Sequence, residues 1–216
     1  MPTTSQTNWN VRDHLPADAI IVQAHRGAGE LSEENTLEAF QLGWKLGCIP
    51  ESDLRTTKDG VIVAFHDNNF GRVVKGVSPD MAKKGVKDIT FDELKKLDVG
   101  SWKGDQFTGR HVSKMTEVFA LMKGHPERKL YMDIKNVNFD QLAQEVKEYG
   151  IESQVILAST KYDQIHKWKK LVPTGQTLLW MGKTEDPEPY LTQRFEELRK
   201  ANFADVTQLQ IHTHLP

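Results

Sequence analysis

The sequence predicts an α/β fold, a TIM-type (β/α)8 barrel, and three observations support this prediction. Short apolar runs alternate with amphipathic stretches along the chain, which is the pattern of a parallel sheet covered by helices. Polar residues fall at the carboxyl ends of successive runs, where such barrels carry their active sites. The first turn, His25-Arg26-Gly27-Ala28-Gly29, lacks the G-x-G-x-x-G pattern of an open, doubly wound sheet that binds phosphate there. Together they favour the closed barrel over the open sheet.

Each predicted strand is a short run rich in β-branched or aliphatic residues, as a buried strand requires. In chain order the predicted strands occupy residues 20–24, 48–54, 61–65, 129–134, 154–158, 176–180 and 206–211. The turn signal Lys58-Asp59-Gly60 separates the second strand from the third. The series therefore counts seven strands.

Helices are predicted between these strands. Asn35 and Glu38 have the spacing of a capping box, with Asn35 as the N-cap, and predict a first helix that ends at Gly47. Thr90 begins a second capping box. Further helices are predicted at residues 115–122, 139–149, 165–171 and 191–198.

The domain organisation is predicted to be simple. Residues 1–18 are polar and are expected to form a surface tail, and residues 19–216 form one barrel. Within the barrel, residues 67–115 are irregular and rich in glycine, which indicates a small insertion after strand 3. Because a parallel barrel needs an eighth strand, we expect the chain to be a fragment of a longer product, truncated after strand 7, or a trimmed barrel.

Composition excludes several classes of protein. The 216 residues carry a formal net charge of −2, with no basic field for nucleic acid. A single cysteine, Cys48, excludes an internal disulfide and a multi-cysteine zinc site. No apolar run approaches the roughly 18 residues of a membrane span, and the N-terminal residues have no signal-peptide core. We expect a soluble protein, cytoplasmic, or periplasmic or secreted if a signal peptide was removed.

Three carboxylates are predicted to share one face of the sheet. Glu51 and Asp53 are two residues apart in the second strand, so both point to the same side. Asp133 ends the fourth strand. Three carboxylates make an oxygen site suited to Mg²⁺ or Ca²⁺.

Two histidines and two cations fall at the same strand ends. His25 and Arg26 follow the first strand, His66 follows the third, and Lys135 is two residues beyond Asp133. Histidines can exchange protons near neutral pH, and Arg and Lys bind phosphate oxygens. Each residue alone has an ordinary structural explanation, but their place on consecutive strands favours a shared site. This combination suits cleavage of a phosphodiester.

The motifs between residues 20 and 72 resemble those of the glycerophosphodiester phosphodiesterase family in order and spacing. They are, in chain order, His25-Arg26-Gly27, Glu34-Asn35-Thr36, Glu51-x-Asp53, Thr57-Lys58-Asp59-Gly60 and His66-Asp67. A looser likeness continues at Met132-Asp133-Ile134-Lys135. The resemblance implies a barrel with a small insertion and metal-dependent hydrolysis of glycerophosphodiesters to an alcohol and sn-glycerol 3-phosphate.

The resemblance also implies roles for individual residues. It assigns general acid–base catalysis to His25 and His66, without saying which is the acid. The other implied roles are metal binding by Glu51, Asp53 and Asp133 and contact with the phosphoryl oxygens by Arg26 and Lys135. Trp180 and His212, at the ends of the sixth and seventh strands, are candidates for the substrate rim.

The sequence departs from the family pattern at two positions. Asp133 stands where the family usually has Glu, so a metal is expected to sit closer to that strand or to be bridged by water. Glu33 stands where Pro is usual.

Two alternative functions remain open: a lyase-type enzyme that releases a cyclic phosphate, and a non-catalytic binding module derived from the barrel. The alcohol, the choice between Mg²⁺ and Ca²⁺ and the oligomeric state are not specified by the sequence.

Overall fold

The computed structural model describes residues 13–16, 20–181 and 187–211, and these contain one sheet of seven strands. The strands are β1 (Gln23–Ala24), β2 (Ile49–Thr56), β3 (Ile62–Ala64), β4 (Leu130–Asn136), β5 (Val155–Ser159), β6 (Gln176–Met181) and β7 (Gln208–Ile211). Most of the predicted tail, residues 1–18, lies outside the described residues, as does His212.

Six of these strands form a parallel series in the order β1-β2-β4-β5-β6-β7. A side-chain hydrogen bond of 3.3 Å joins Gln23 of β1 to Gln208 of β7, so the sheet curls until its first and last strands approach each other. The alternating strand residues therefore divide into an inner and an outer face. This is the curled parallel sheet expected of an α/β barrel.

The third strand corrects the predicted strand order. β3 pairs with β2 in antiparallel fashion and lies off the parallel series. The connection is a tight turn in which the Thr57 amide donates to the Val61 carbonyl over 2.9 Å. Antiparallel strands can be joined by such a turn, whereas a parallel pair needs a crossover of a dozen or more residues. The predicted run was buried as expected, but the short connection dictates the opposite direction.

The described residues also form seven α-helices beside the sheet. They are α1 (Leu37–Lys45), α2 (Pro79–Lys83), α3 (Phe91–Leu94), α4 (Met115–Met122), α5 (Phe139–Tyr149), α6 (Tyr162–Leu171) and α7 (Pro187–Lys200). Short 3₁₀ turns occupy Gly29–Leu31, Val86–Asp88, Asp105–Phe107 and Glu152–Gln154. Among the described helices, none is long and apolar enough to cross a membrane.

The hydrophobic residues form separate cores. The largest core lies between the outer face of the sheet and the helices, and includes Leu142 of α5 and Trp168 of α6, both fully buried. A second core fills the segment between β3 and α4, where Phe70 and Leu94 are fully buried. A third, smaller core covers the inner face of the sheet. The segment after β3 is thus packed around its own apolar residues.

Two local predictions are wrong by a few residues. The first strand is only Gln23–Ala24, and Ile20, Ile21 and Val22 are exposed, because β1 is an edge strand that pairs with β2 alone. The N-cap of α1 is Thr36, whose hydroxyl accepts from the Ala39 amide over 3.2 Å, and not Asn35. Asn35 is used elsewhere, as described below.

Candidate active site

The three predicted metal-binding carboxylates meet on the inner face of the sheet. Parallel pairing sets Asp53 of β2 beside Asp133 of β4, and Glu51 lies two residues earlier on the same face. One oxygen from each of the three carboxylates lies within 4.8 Å of the others. Glu51 and Asp53 are buried, and Asp133 is partly exposed. We call these residues the carboxylate cluster.

The backbone around the first turn holds two members of the cluster. The amide of Arg26 donates to Glu51 Oε2 over 2.6 Å. Asn35 donates from Nδ2 to Asp53 Oδ2 over 2.9 Å and accepts from the Asp53 amide over 3.0 Å. Asn35 is buried and has a left-handed backbone with φ of 57°, which Asn tolerates better than most residues. The turn after β1 therefore fixes the position of carboxylates on β2.

Electrostatic repulsion within the cluster is strong. Burial, followed by the nearby charge of Asp53, raises the pKa of Glu51 to about 8. In the described chain, Glu51 Oε1 and Asp133 Oδ1 accept no hydrogen bond. A cluster of carboxylates with free oxygens is suited to a hard divalent cation. The residues present therefore fit a divalent metal.

Two cations adjoin the cluster. Lys135 Nζ lies 3.1 Å from Asp53 Oδ1 and 2.7 Å from Asp133 Oδ2. Burial alone would lower the pKa of Lys135, but its hydrogen bond to Asp133 and the charge of Asp53 outweigh burial and raise it. Arg26 Nε lies 3.7 Å from Asp53 Oδ2. Both side chains lie where they can face an anionic substrate beside the cluster.

His66 is held by a network of ion pairs. Its Nδ1 lies 2.6 Å from Asp67 Oδ1, which leaves Nε2 available for proton transfer. Arg72 donates to both oxygens of Asp67, over 2.6 Å and 3.1 Å, and to both oxygens of Glu34, over 2.9 Å and 2.5 Å. The Arg72 guanidinium also lies 5.2 Å from the centre of the Trp102 ring. We call Glu34, Asp67 and Arg72 the His66 network.

The His66 network is also linked to Arg26. Arg26 Nη1 donates to Glu34 Oε2 over 3.0 Å. Burial raises the pKa of Asp67, but hydrogen bonds from Arg72 and His66 outweigh burial and leave the pKa below its ordinary value. Asp67 is therefore an anion that can orient the His66 ring.

His25 has a different environment. It is exposed, and in the described residues its ring makes no hydrogen bond or ion pair. Partial desolvation, followed by the charge of Arg26, lowers the pKa of His25. A neutral imidazole can accept a proton near neutral pH.

Two clefts flank the carboxylate cluster. The first has a volume of about 420 Å³ and is lined by His25, Glu51, Asp133, Tyr131 and Trp180, with Gln23 and Gln210. The second has a volume of about 370 Å³ and is lined by His66, Lys135, Arg55, Asp67, Asn68 and Asn69. The two histidines thus lie in separate clefts, the first lined by Glu51 and Asp133 and the second by Lys135. A phosphodiester has two ester arms, and each cleft can hold one.

The structure brings together the seven core residues that the sequence singled out. His25 and Arg26 follow β1, whereas the members of the carboxylate cluster lie within β2 and β4 and not at their ends, because both strands run further than predicted; Trp180 lines the first cleft. His66 follows the antiparallel strand β3 instead of a parallel one, yet reaches the same region. Their roles in catalysis remain predictions.

Three further residues at the site, Arg72, Arg55 and Tyr131, are not predicted from the sequence. Arg72 lies outside the strands and follows no periodic pattern. Only its nearness to His66 in the sequence could have indicated it. Arg55 of β2 donates to the His66 carbonyl over 3.0 Å and 2.6 Å. Its position two residues after Asp53 places both side chains on one face of the strand, which the sequence could have indicated. Tyr131 lies two residues before Asp133 on the same strand, so the same period was available there as well.

A model of the glycerophosphoryl diester phosphodiesterase family matches residues 25–210. The chain is 34% identical to a glycerophosphodiester phosphodiesterase of Caldanaerobacter subterraneus subsp. tengcongensis, over 71% of this chain and 63% of the relative. It is 28% identical to a glycerophosphodiester phosphodiesterase of Bacillus subtilis, over 99% of this chain and 71% of that relative. The chain thus spans less than two thirds of the Caldanaerobacter protein.

Solved structures share the fold. A glycerophosphodiester phosphodiesterase from Agrobacterium tumefaciens matches with a TM-score of 0.65 and 19% identity, over 88% of this chain and 95% of that one. A phosphodiesterase from Oleispira antarctica, solved in complex with the product sn-glycerol-3-phosphate, matches with a TM-score of 0.64 and 20% identity, over 91% and 85% of the two chains. These likenesses confirm the α/β barrel class.

Proposed function

The chain belongs to the glycerophosphoryl diester phosphodiesterase family, and on this premise we propose that it hydrolyses glycerophosphodiesters to an alcohol and sn-glycerol 3-phosphate with the help of a divalent metal. The observation that carries the proposal is the carboxylate cluster with Lys135 at its side and one histidine in each flanking cleft. On this proposal the same residues would supply an acid–base pair, phosphate-binding cations and a metal site.

The carboxylate cluster is the proposed metal site. Glu51, Asp53 and Asp133 supply oxygen ligands, and their mutual repulsion favours a cation between them. When bound, Mg²⁺ or Ca²⁺ would neutralise charge on a phosphoryl oxygen. Because Glu51 holds a proton up to about pH 8, metal binding at neutral pH should release a proton.

The histidines divide the proton transfers between them. His25 has a lowered pKa, so it is proposed to accept a proton from the attacking oxygen, which is a water or the glycerol 2-hydroxyl. His66, oriented by Asp67, is proposed to donate the proton that the departing alkoxide requires. For hydrolysis, one phosphorus–oxygen bond forms to water and the bond to the alcohol breaks. The water's proton ends on His25 and the alcohol gains one from His66.

Arg26 and Lys135 are proposed to contact the phosphoryl oxygens. Each lies within 4 Å of a carboxylate of the cluster, so each is already beside the place where the phosphoryl group would sit. Fixed cations stabilise the negative charge that grows on these oxygens during the reaction. They would also hold the diester across the cluster, with one arm in each cleft.

The direct test is the release of sn-glycerol 3-phosphate from glycerophosphocholine, measured with Mg²⁺, with Ca²⁺ and with EDTA. We expect activity with a divalent ion and none with chelator. His25→Ala and His66→Ala should each lose about 10²-fold or more in rate. His111→Ala, outside both clefts, is the matched control and should keep full activity.

Two results would contradict the proposal. Undiminished turnover in EDTA would remove the metal, and undiminished turnover by either histidine variant would remove that residue from the acid–base pair. Analysis of the product by ³¹P NMR separates hydrolysis from release of a cyclic phosphate. The cyclic product would show that the glycerol 2-hydroxyl, and not water, is the nucleophile.

A further inference from the structure

A cationic groove continues from the second cleft towards the segment after β3. It has a volume of about 540 Å³ and shares three lining residues, Arg55, Asn68 and Asn69, with the cleft that holds His66. Its far side is formed by Lys83, at the end of α2, and by Lys87. A ligand that enters the His66 cleft can therefore extend into this groove without leaving the protein surface.

The two lysines are available to a ligand. Both are exposed, and within the described residues neither side chain makes an ion pair or a hydrogen bond. Asp88, also on this groove, has one carboxylate oxygen occupied by the Gly85 amide over 2.8 Å. Asp67 in the adjoining cleft is engaged by Arg72 and His66.

The charge of the groove contrasts with that of the first cleft. The second cleft and the groove together contain four cations, Arg55, Lys83, Lys87 and Lys135, against the carboxylates Asp67 and Asp88. The first cleft contains the carboxylates Glu51 and Asp133, and no Lys or Arg lines it in the described chain. An anionic arm of a substrate is therefore attracted to the His66 side.

Neutral polar residues line the groove together with the lysines. Asn69 and Asn136 present side-chain amides at the groove, and Thr56 lies beside them. Amides can donate to and accept from hydroxyl groups, as recognition of a polyol requires. The first cleft has the phenol of Tyr131, the amides of Gln23 and Gln210, and the apolar ring of Trp180, which suit the smaller glycerol arm.

We propose that the groove is the subsite for the alcohol arm and that it selects alcohols that are phosphorylated polyols, with Lys83 and Lys87 binding the additional phosphate. This inference rests on the proposed function, since it assigns the substrate class of the same site. It places the leaving oxygen on the side of His66, the residue proposed to protonate it. Cationic alcohols such as choline gain nothing from the groove.

The test compares two substrates that differ by one phosphate, glycerophosphoinositol and glycerophosphoinositol 4-phosphate, with glycerophosphocholine as a third. The readouts are kcat and KM for release of sn-glycerol 3-phosphate, together with the calorimetric affinity of the protein for each compound. The variant is Lys83→Ala with Lys87→Ala. The matched control is Lys123→Ala with Lys147→Ala, two exposed lysines that line none of these clefts.

We expect the protein to prefer the phosphorylated compound. In the Lys83/Lys87 variant this preference should fall by about fivefold to tenfold, mainly through KM, because exposed charge pairs contribute modestly. The unphosphorylated substrates should change by less than about twofold, and the control variant should match the parent.

The outcomes separate the two proposals. If none of the three compounds is hydrolysed with a divalent metal, the proposed function fails, and the calorimetric comparison still tests the groove. If the parent hydrolyses or binds both inositol compounds equally, the groove proposal is wrong while the function stands. An equal loss in the control variant would show a general effect of net charge and would also overturn the proposal.

Discussion

The carboxylate cluster and the His66 network hold their side chains in different ways. The cluster sits on β2 and β4, where strand register sets the spacing of Asp53 and Asp133. His66 instead follows a short antiparallel strand, and its ring is oriented by ion pairs through Asp67 and Arg72. One half of the site therefore depends on the sheet, and the other half depends on charges carried by the segment after β3.

The largest effect should follow from breaking the cluster. Asp53→Asn keeps the shape of the side chain but removes the charge that Lys135 and a metal require. We expect activity to fall by about 10³-fold or more, because a metal and fixed charges supply several kcal/mol to such reactions. Asp140→Asn, an exposed carboxylate on α5, is the control. A variant with a tenth of the parent activity at saturating metal would show that the cluster is not the metal site.

A smaller effect should follow from breaking the His66 network. Arg72→Gln leaves the carboxylate cluster intact but removes the hydrogen bonds that the guanidinium donates to both carboxylate oxygens of Asp67 and of Glu34. We expect kcat to fall by about 10- to 100-fold with little change in KM, the usual cost of losing a residue that orients a functional group. The matched control is Arg194→Gln, an arginine paired with Glu197 on α7. If Arg72→Gln changed KM and left kcat intact, Arg72 would bind substrate instead of orienting His66.

Two of the three hydrophobic cores allow the same comparison through protein stability. Leu94 is fully buried in the core after β3, and Leu142 is fully buried in the core between sheet and helices. Either Leu→Ala substitution should lower the free energy of unfolding by about 2–5 kcal/mol, measured in urea. Below the melting temperature, only Leu94→Ala should also lower kcat, because its core packs around the residues that carry Arg72. An equal loss of kcat in Leu142→Ala would mean that the two regions are not separable.

The smallest effect concerns the pH dependence of stability without metal. Glu51 in the folded protein keeps its proton up to about pH 8, whereas an ordinary Glu loses it near pH 4.5. The stability that the protonated Glu51 contributes to the folded state is therefore complete below about pH 4.5 and is lost as the pH rises to about 8. We expect the melting temperature without metal to fall across this range. Added metal should raise the melting temperature more at pH 8 than at pH 5. Glu51→Gln should remove most of this pH dependence; an unchanged profile would locate its cause elsewhere.

The carboxylate cluster could be predicted because its spacing follows from strand geometry. Residues two apart share a face, and parallel strands bring their carboxyl ends to one edge, so Glu51, Asp53 and Asp133 required no knowledge of long-range packing. Because all three side chains are carboxylates, they indicate a hard divalent metal such as Mg²⁺ or Ca²⁺. The α/β barrel class followed from the same alternation.

The remaining features depended on contacts that periodicity does not contain. A buried apolar run reads the same in either direction, so β3 was placed in the parallel series although its short turn makes it antiparallel. Asn35 and Thr36 are both good N-caps, and only the contact of Asn35 with Asp53 decides between them. Arg72 reaches Glu34 across 38 positions of sequence, a pairing fixed by the packing of the segment after β3.

The hydrogen bond from the Arg26 amide to Glu51 gives the site a built-in spectroscopic reporter. This one backbone proton points at a carboxylate whose charge changes near neutral pH and again when a cation arrives. Its NMR chemical shift should therefore follow the ionisation of Glu51 during a pH titration and respond to added Mg²⁺ or Ca²⁺. Binding of a cation to the carboxylate cluster can therefore be followed from a single NMR peak, without substrate and without turnover.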